Sequence, residues 1–70
     1  MIPLTMTKAG EQKSIKKVEG GSEVKQYLKT LGFVIGTPIS VITAAGGNVI
    51  VNIKESRIAV SRQMASKIMV

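Results

Sequence analysis

Apolar positions along the chain change period several times, and glycines mark most of the changes. Asn48 to Lys54 is the cleanest run: Val49, Val51 and Ile53 alternate with Ile50, Asn52 and Lys54. That period of two is what a half-buried strand requires. Pro38 to Thr43 reads the same way, with Ile39 and Val41 on one face and Ser40 and Ile42 on the other. Arg57 to Val60 puts Ile58 and Val60 on one side, and Lys67-Ile68-Met69-Val70 gives a closing strand. In Ser14 to Val18 the apolar residues, Ile15 and Val18, lie three apart, which predicts a strand with a twist or bulge. β-branched residues dominate these runs, as a pleated, half-buried surface prefers.

Ser22 to Leu31 has a different period. Val24, Leu28 and Leu31 recur at i, i+4 and i+7, one apolar stripe on a helix. Ser22 is a candidate cap, Glu23 complements the positive end of the dipole, and Gly32 supplies the stop. Lys25 and Lys29 fall off the stripe. A second single turn is expected over Ser61 to Ser66, with Met64 and Ala65 inward. Gly46-Gly47, followed by Asn48, predicts a hairpin between the second and third strands. One strand, a helix, then several short strands exclude repeated βαβ units. The expected architecture is mainly β: a small barrel of about five strands, with one short helix after the first strand plugging an open end.

Seventy residues support one small domain of modest stability, here expected over residues 1–70. The chain has no cysteine and no histidine. It therefore has no disulfide, no thiolate or imidazole metal ligand, and no usual general base. No nucleophile elbow or phosphate loop occurs, so no enzyme is expected and no catalytic residue is assigned. The carboxylates are Glu11, Glu19, Glu23 and Glu55. Glu19 and Glu23 flank Gly20-Gly21 and could approach each other, but they read better as a strand end and a helix start. No metal site and no cofactor are expected. The N-terminal residues lack the apolar run of a signal peptide, and no stretch approaches the ~20 apolar residues of a membrane span.

Ten Lys and Arg against four Asp and Glu give a formal charge of +6, which suits an anionic partner. The positive residues are spread along the chain, and only Tyr27 and Phe33 are aromatic. A row of base-stacking platforms is absent, so nucleic-acid binding is the second reading, behind a solvated basic surface.

Leu28-Lys29-Thr30-Leu31-Gly32-Phe33-Val34-Ile35-Gly36-Thr37-Pro38-Ile39-Ser40-Val41 resembles the signature of the FeoA-like family: a helix ending in leucine-glycine, a short apolar loop, a second glycine and an alternating strand. Gly10-Glu11, Ile15 and Gly20-Gly21 upstream also agree, as do Val49, Val51, Ala59-Val60-Ser61-Arg62, Ala65, Ile68 and Val70 downstream. The likeness runs from about Met6 on. Two places depart from it: Phe33 and Ile35 stand where members often carry methionine then proline, and Ala44-Ala45-Gly46-Gly47 where many have a proline turn. The resemblance implies an SH3-like barrel, accessory to ferrous-iron uptake, acting in the cytoplasm on FeoB, a membrane permease with a GTP-hydrolysing domain. It places the protein at the inner membrane only through that partner. A related domain ends iron-dependent repressors; no DNA-binding helices precede it here, so a stand-alone relative of that domain is the other reading the resemblance allows.

Partner binding is the function the residues support best. With the inward faces assigned, Phe33, Val34 and Ile35 in the loop, and Ile42 and Ile50 on outward strand sides, remain as apolar candidates. Phe33 alone carries two readings of equal weight, contact residue or cap of the barrel. Ile42 and Ile50 lie near each other if the hairpin register is tight. Lys16, Lys17, Arg57 and Arg62 would steer an acidic partner, FeoB by resemblance, or a second copy of the chain would use the apolar face.

Overall fold

The computed structural model describes residues Met1 to Val70. Strands β1 (Gln12–Ser14), β2 (Lys17–Val18), β3 (Pro38–Ala45), β4 (Asn48–Ile53), β5 (Ser56–Ser61) and β6 (Ile68–Met69) form two antiparallel sheets, ordered β1-β3-β4-β5 and β2-β6. Helix α1 (Ser22–Thr30) follows β2, and a single turn, α2 (Arg62–Ala65), precedes β6. The expected mainly-β architecture holds, with six strands in place of about five. The extra strand comes from the Ser14 to Val18 segment. It breaks at Ile15-Lys16 because its first half pairs with β3 and its second with β6.

That break explains the three-residue spacing of Ile15 and Val18. A strand that changes sheets must turn a new face inward, so apolar residues at even spacing would leave one of them outside. Ile15 is buried at the corner and Val18 is half-buried beyond it. No ladder joins β5 to the smaller sheet, so the barrel stays partly open. The chain ends tighten it from another side: Ile2 and Val70 exchange backbone hydrogen bonds of 2.9 and 2.8 Å, and Leu4, in a 3₁₀ turn, is buried.

All thirteen buried residues are hydrophobic, so no buried side chain needs a hydrogen-bond partner. Ile39, Val41, Val49, Val51, Ile53 and Val60 come from the larger sheet, as the alternation predicts. Leu28 is fully buried, with Val24 and Leu31 packed against the core, which confirms the helical stripe. Ala65 is buried and Met64 half-buried, as expected of the second turn. The Ser61 side chain caps that turn by accepting from the Met64 amide at 3.1 Å. Ser22 does not cap α1. Gly21 occupies the cap position without a side-chain bond, its carbonyl accepting from the Lys25 amide at 3.0 Å, and Ser22 is the first helical residue.

Two hairpins connect the larger sheet. In β3–β4 the two-residue loop is Gly46-Gly47, with Gly46 at φ +61°, the backbone that a type II′ turn asks of its first central residue. In β4–β5 the loop is Lys54-Glu55, both at positive φ (51° and 64°), a type I′ turn built without glycine or asparagine. The left-handed region costs an ordinary residue about 1–2 kcal/mol. We expect the double substitution Lys54→Asn, Glu55→Gly to stabilise the domain by about 1 kcal/mol, after allowing for the entropy of glycine. Thermal unfolding by circular dichroism checks this: the midpoint should rise by ~4–8 °C per kcal/mol for a domain of this size.

Candidate functional site

Between α1 and β3 the chain makes a turn that the core fixes on both sides. Phe33 is buried (2% exposed), and its amide donates to the Leu28 carbonyl at 3.0 Å, at the end of the helix. Of its two sequence readings, the capping one holds. Phe33 thus closes the core at the helix end, and the little surface it keeps lines a groove beside α1. Val34 to Thr37 then forms a β-turn closed by the Thr37 amide on the Val34 carbonyl at 3.0 Å. Gly36 sits at its third position with φ +91°, where a residue with Cβ would be strained. The Gly36 amide donates to the Ile15 carbonyl (2.7 Å), and the Ile15 amide to the Thr37 carbonyl (3.0 Å). The turn is thus bonded to the strand corner, and it holds Ile35 outward at 68% exposure, with Val34 beside it at 39%.

This turn forms one wall of a groove of about 360 Å³, which Lys17 and Val18 of β2, Lys25 and Lys29 of α1, and Phe33, Val34 and Ile35 line. Phe33 contributes to the groove from within the core. Lys17 pairs with Glu19 at 3.7 Å, whereas Lys25 and Lys29 have no carboxylate partner. Sequence reasoning set Lys25 and Lys29 aside as residues off the apolar stripe. The signal that would have found them is their i, i+4 spacing, which puts both ammonium groups on one helix face.

Ile42 and Ile50 lie elsewhere, on the outer face of the larger sheet. The register shifts between Val41 and Thr43, a bulge that sets Ile42 and Thr43 against the single Ile50. Ile42 is 36% exposed and Ile50 half-buried. A second hollow of about 540 Å³ brings Ile42 together with Ser40, Asn52 and Arg57. It shares no lining residue with the groove. Lys16 is exposed near Met1 and Ile2, and Arg62 begins α2 with its amide on the Gly47 carbonyl at 2.8 Å. The nine residues singled out from sequence therefore divide among several places. Phe33, Val34, Ile35 and Lys17 meet at the groove, Ile42 and Arg57 at the sheet hollow, Ile50 lies across the bulge from Ile42 without lining the hollow, and Lys16 and Arg62 join neither site.

No three His, Cys, Asp or Glu side chains come together in a way that could hold a metal ion. Glu19 is engaged by Lys17, while Glu23 lies in the first turn of α1, where its charge complements the helix dipole. No helix is long and apolar enough to cross a membrane. What the surface offers is apolar contact framed by positive charge.

Two small antiparallel sheets, a strand shared between them and a helix after that strand define an SH3-like domain. Within that class the chain belongs to the FeoA family, whose model, described as the FeoA domain, matches residues 2–70. A protein of Methanocaldococcus jannaschii, provisionally named Fe(2+) transport protein A, is 41% identical over the whole of this chain and 85% of its own length. The crystal structure of an iron uptake regulatory protein, FeoA, superposes with a TM-score of 0.90 at 24% identity, over 99% of this chain and 93% of that one. Stenotrophomonas maltophilia FeoA, solved with zinc and described as a prokaryotic SH3 domain protein, gives a TM-score of 0.85 at 18% identity, over 100% and 89%.

The contrast between Phe33 and Ile35 is directly testable by urea unfolding. Phe33→Ala should cost about 3–5 kcal/mol, most of the stability of a domain this small. Ile35→Asp should change stability by less than about 0.5 kcal/mol, as exposed substitutions do.

Proposed function

We propose that this chain is a cytoplasmic accessory protein of ferrous-iron uptake, which acts as a binding domain on the cytosolic side of a FeoB-type membrane permease. Membership of the FeoA family and the iron-transport names of its relatives support the choice of system. The observation that carries the mode of action is Ile35, a large apolar side chain 68% exposed on a turn that the core immobilises. An apolar group presented on a rigid turn contributes its full burial on docking, because little ordering has to accompany the contact.

In this reading Ile35 and Val34 are the anchors, and Ile42 on the outer sheet face gives a second contact when the partner surface is broad enough to reach it. The basic residues around them (Lys16, Lys17, Arg57 and Arg62) accelerate encounter with an acidic face and contribute less to affinity. No bond is made or broken by the domain itself. Its effect on transport comes from the contact and from whatever conformation of the permease that contact favours.

Retention of the folded protein on detergent-solubilised FeoB, with and without guanine nucleotide, tests this. Wild type should be retained. The Ile35→Asp, Ile42→Asp double variant, verified as folded by circular dichroism, should lose at least about 2 kcal/mol of binding, the cost of removing an interface anchor. Failure of wild type to be retained in either nucleotide state would overturn the proposal.

A further inference from the structure

The groove beside α1 carries more information about its occupant than exposure alone. Its apolar side is Val18, Phe33, Val34 and Ile35, and its basic side is Lys17, Lys25 and Lys29. Two of those lysines have no carboxylate partner within the chain. We propose that this groove binds an acidic amphipathic peptide segment of a partner protein, with its aliphatic side chains on the Phe33–Ile35 wall and its carboxylates on Lys25 and Lys29. This inference rests on the proposed function and names the chemistry of the segment that docks.

Charge complementarity selects the occupant. A second copy of the chain carries the same +6 charge and has only Glu11, Glu19, Glu23 and Glu55 to offer. Glu11 and Glu19 are engaged by Lys13 and Lys17 at 3.9 and 3.7 Å, while Glu23 stands alone on α1 and Glu55 alone in the β4–β5 turn. No cluster of three or more carboxylates forms on the chain, so a second copy has little negative charge to set against these lysines. Nucleic acid meets the lysines but finds no exposed aromatic platform there, because Phe33 is 2% exposed. An acidic peptide with aliphatic residues satisfies both sides at once. The lysine pair on one helix face spaces its carboxylates, while the turn supplies apolar contact between them.

Amide chemical shifts of the full chain, titrated with a short synthetic peptide alternating glutamate and leucine, read this directly. Shifts should centre on Val18, Lys25, Lys29, Val34 and Ile35. The same peptide with glutamine for glutamate, and a Lys25→Glu, Lys29→Glu variant of the chain, should each weaken binding on the order of tenfold. Shifts centred elsewhere, or equal binding of the glutamine peptide, would overturn the proposal. So would groove shifts produced by phosphatidylglycerol vesicles or a single-stranded oligonucleotide but not by the peptide. A FeoB retention assay separates the two levels. If wild type and the lysine variant are retained equally, the groove proposal fails and the functional reading stands. If wild type is not retained but the peptide titrates as described, the functional reading fails and the groove assignment survives.

Discussion

Ile15 is the point through which the rest of the structure is connected. Its side chain fills the corner between the two sheets, at 1% exposure, where the first strand leaves the larger sheet for the smaller one. Its amide and carbonyl are both used by the Val34–Thr37 turn, and the next amide, that of Lys16, donates to the Met69 carbonyl at 2.8 Å. One residue thus ties the larger sheet, the smaller sheet and the turn that displays Ile35. With a core made only of aliphatic side chains and one phenylalanine, no specific polar network fixes the geometry. Backbone bonding at this corner does so instead.

The same economy shapes the surface. A domain this small leaves a large share of its area outside, and with ten cations against four anions like chains repel one another. Under those conditions an exposed isoleucine on a fixed turn is tolerated, since copies of the chain repel one another around it. The lysines at the groove then have two effects. They discourage association of like chains, and they favour a partner whose apolar segment arrives with negative charge.

Much of this was legible from the residues. The alternation in Asn48 to Lys54 and the i, i+4, i+7 stripe of α1 report burial directly, since a single face of each element is apolar. Gly46-Gly47 marked its hairpin for a backbone reason. The Lys54-Glu55 turn gave no such mark, because the flanking strands impose a left-handed backbone on residues that do not prefer it. The division of the first strand showed only as an odd spacing, and its cause, pairing with two different sheets, is a long-range property that local pattern does not carry. Leu4 and the Ile2–Val70 pairing were missed for the same reason. At the site, sequence gave the apolar loop but not the roles within it. Which of Phe33 and Ile35 faces the core depends on where the helix ends and how the turn closes, and the grouping of Lys25 and Lys29 with the loop depends on α1 and β2 lining the same groove.

Native-state hydrogen exchange at single residues tests the central claim, that the core and the strand corner hold the turn rigid. The amides of Ile15 and Gly36 should exchange as slowly as that of Val51 in the central strand β4, through global unfolding only. The Ile35 amide, which donates no backbone hydrogen bond, should exchange rapidly. If Gly36 instead exchanges orders of magnitude faster than Val51 while the strands remain protected, the turn opens on its own and the pre-organised presentation of Ile35 is contradicted.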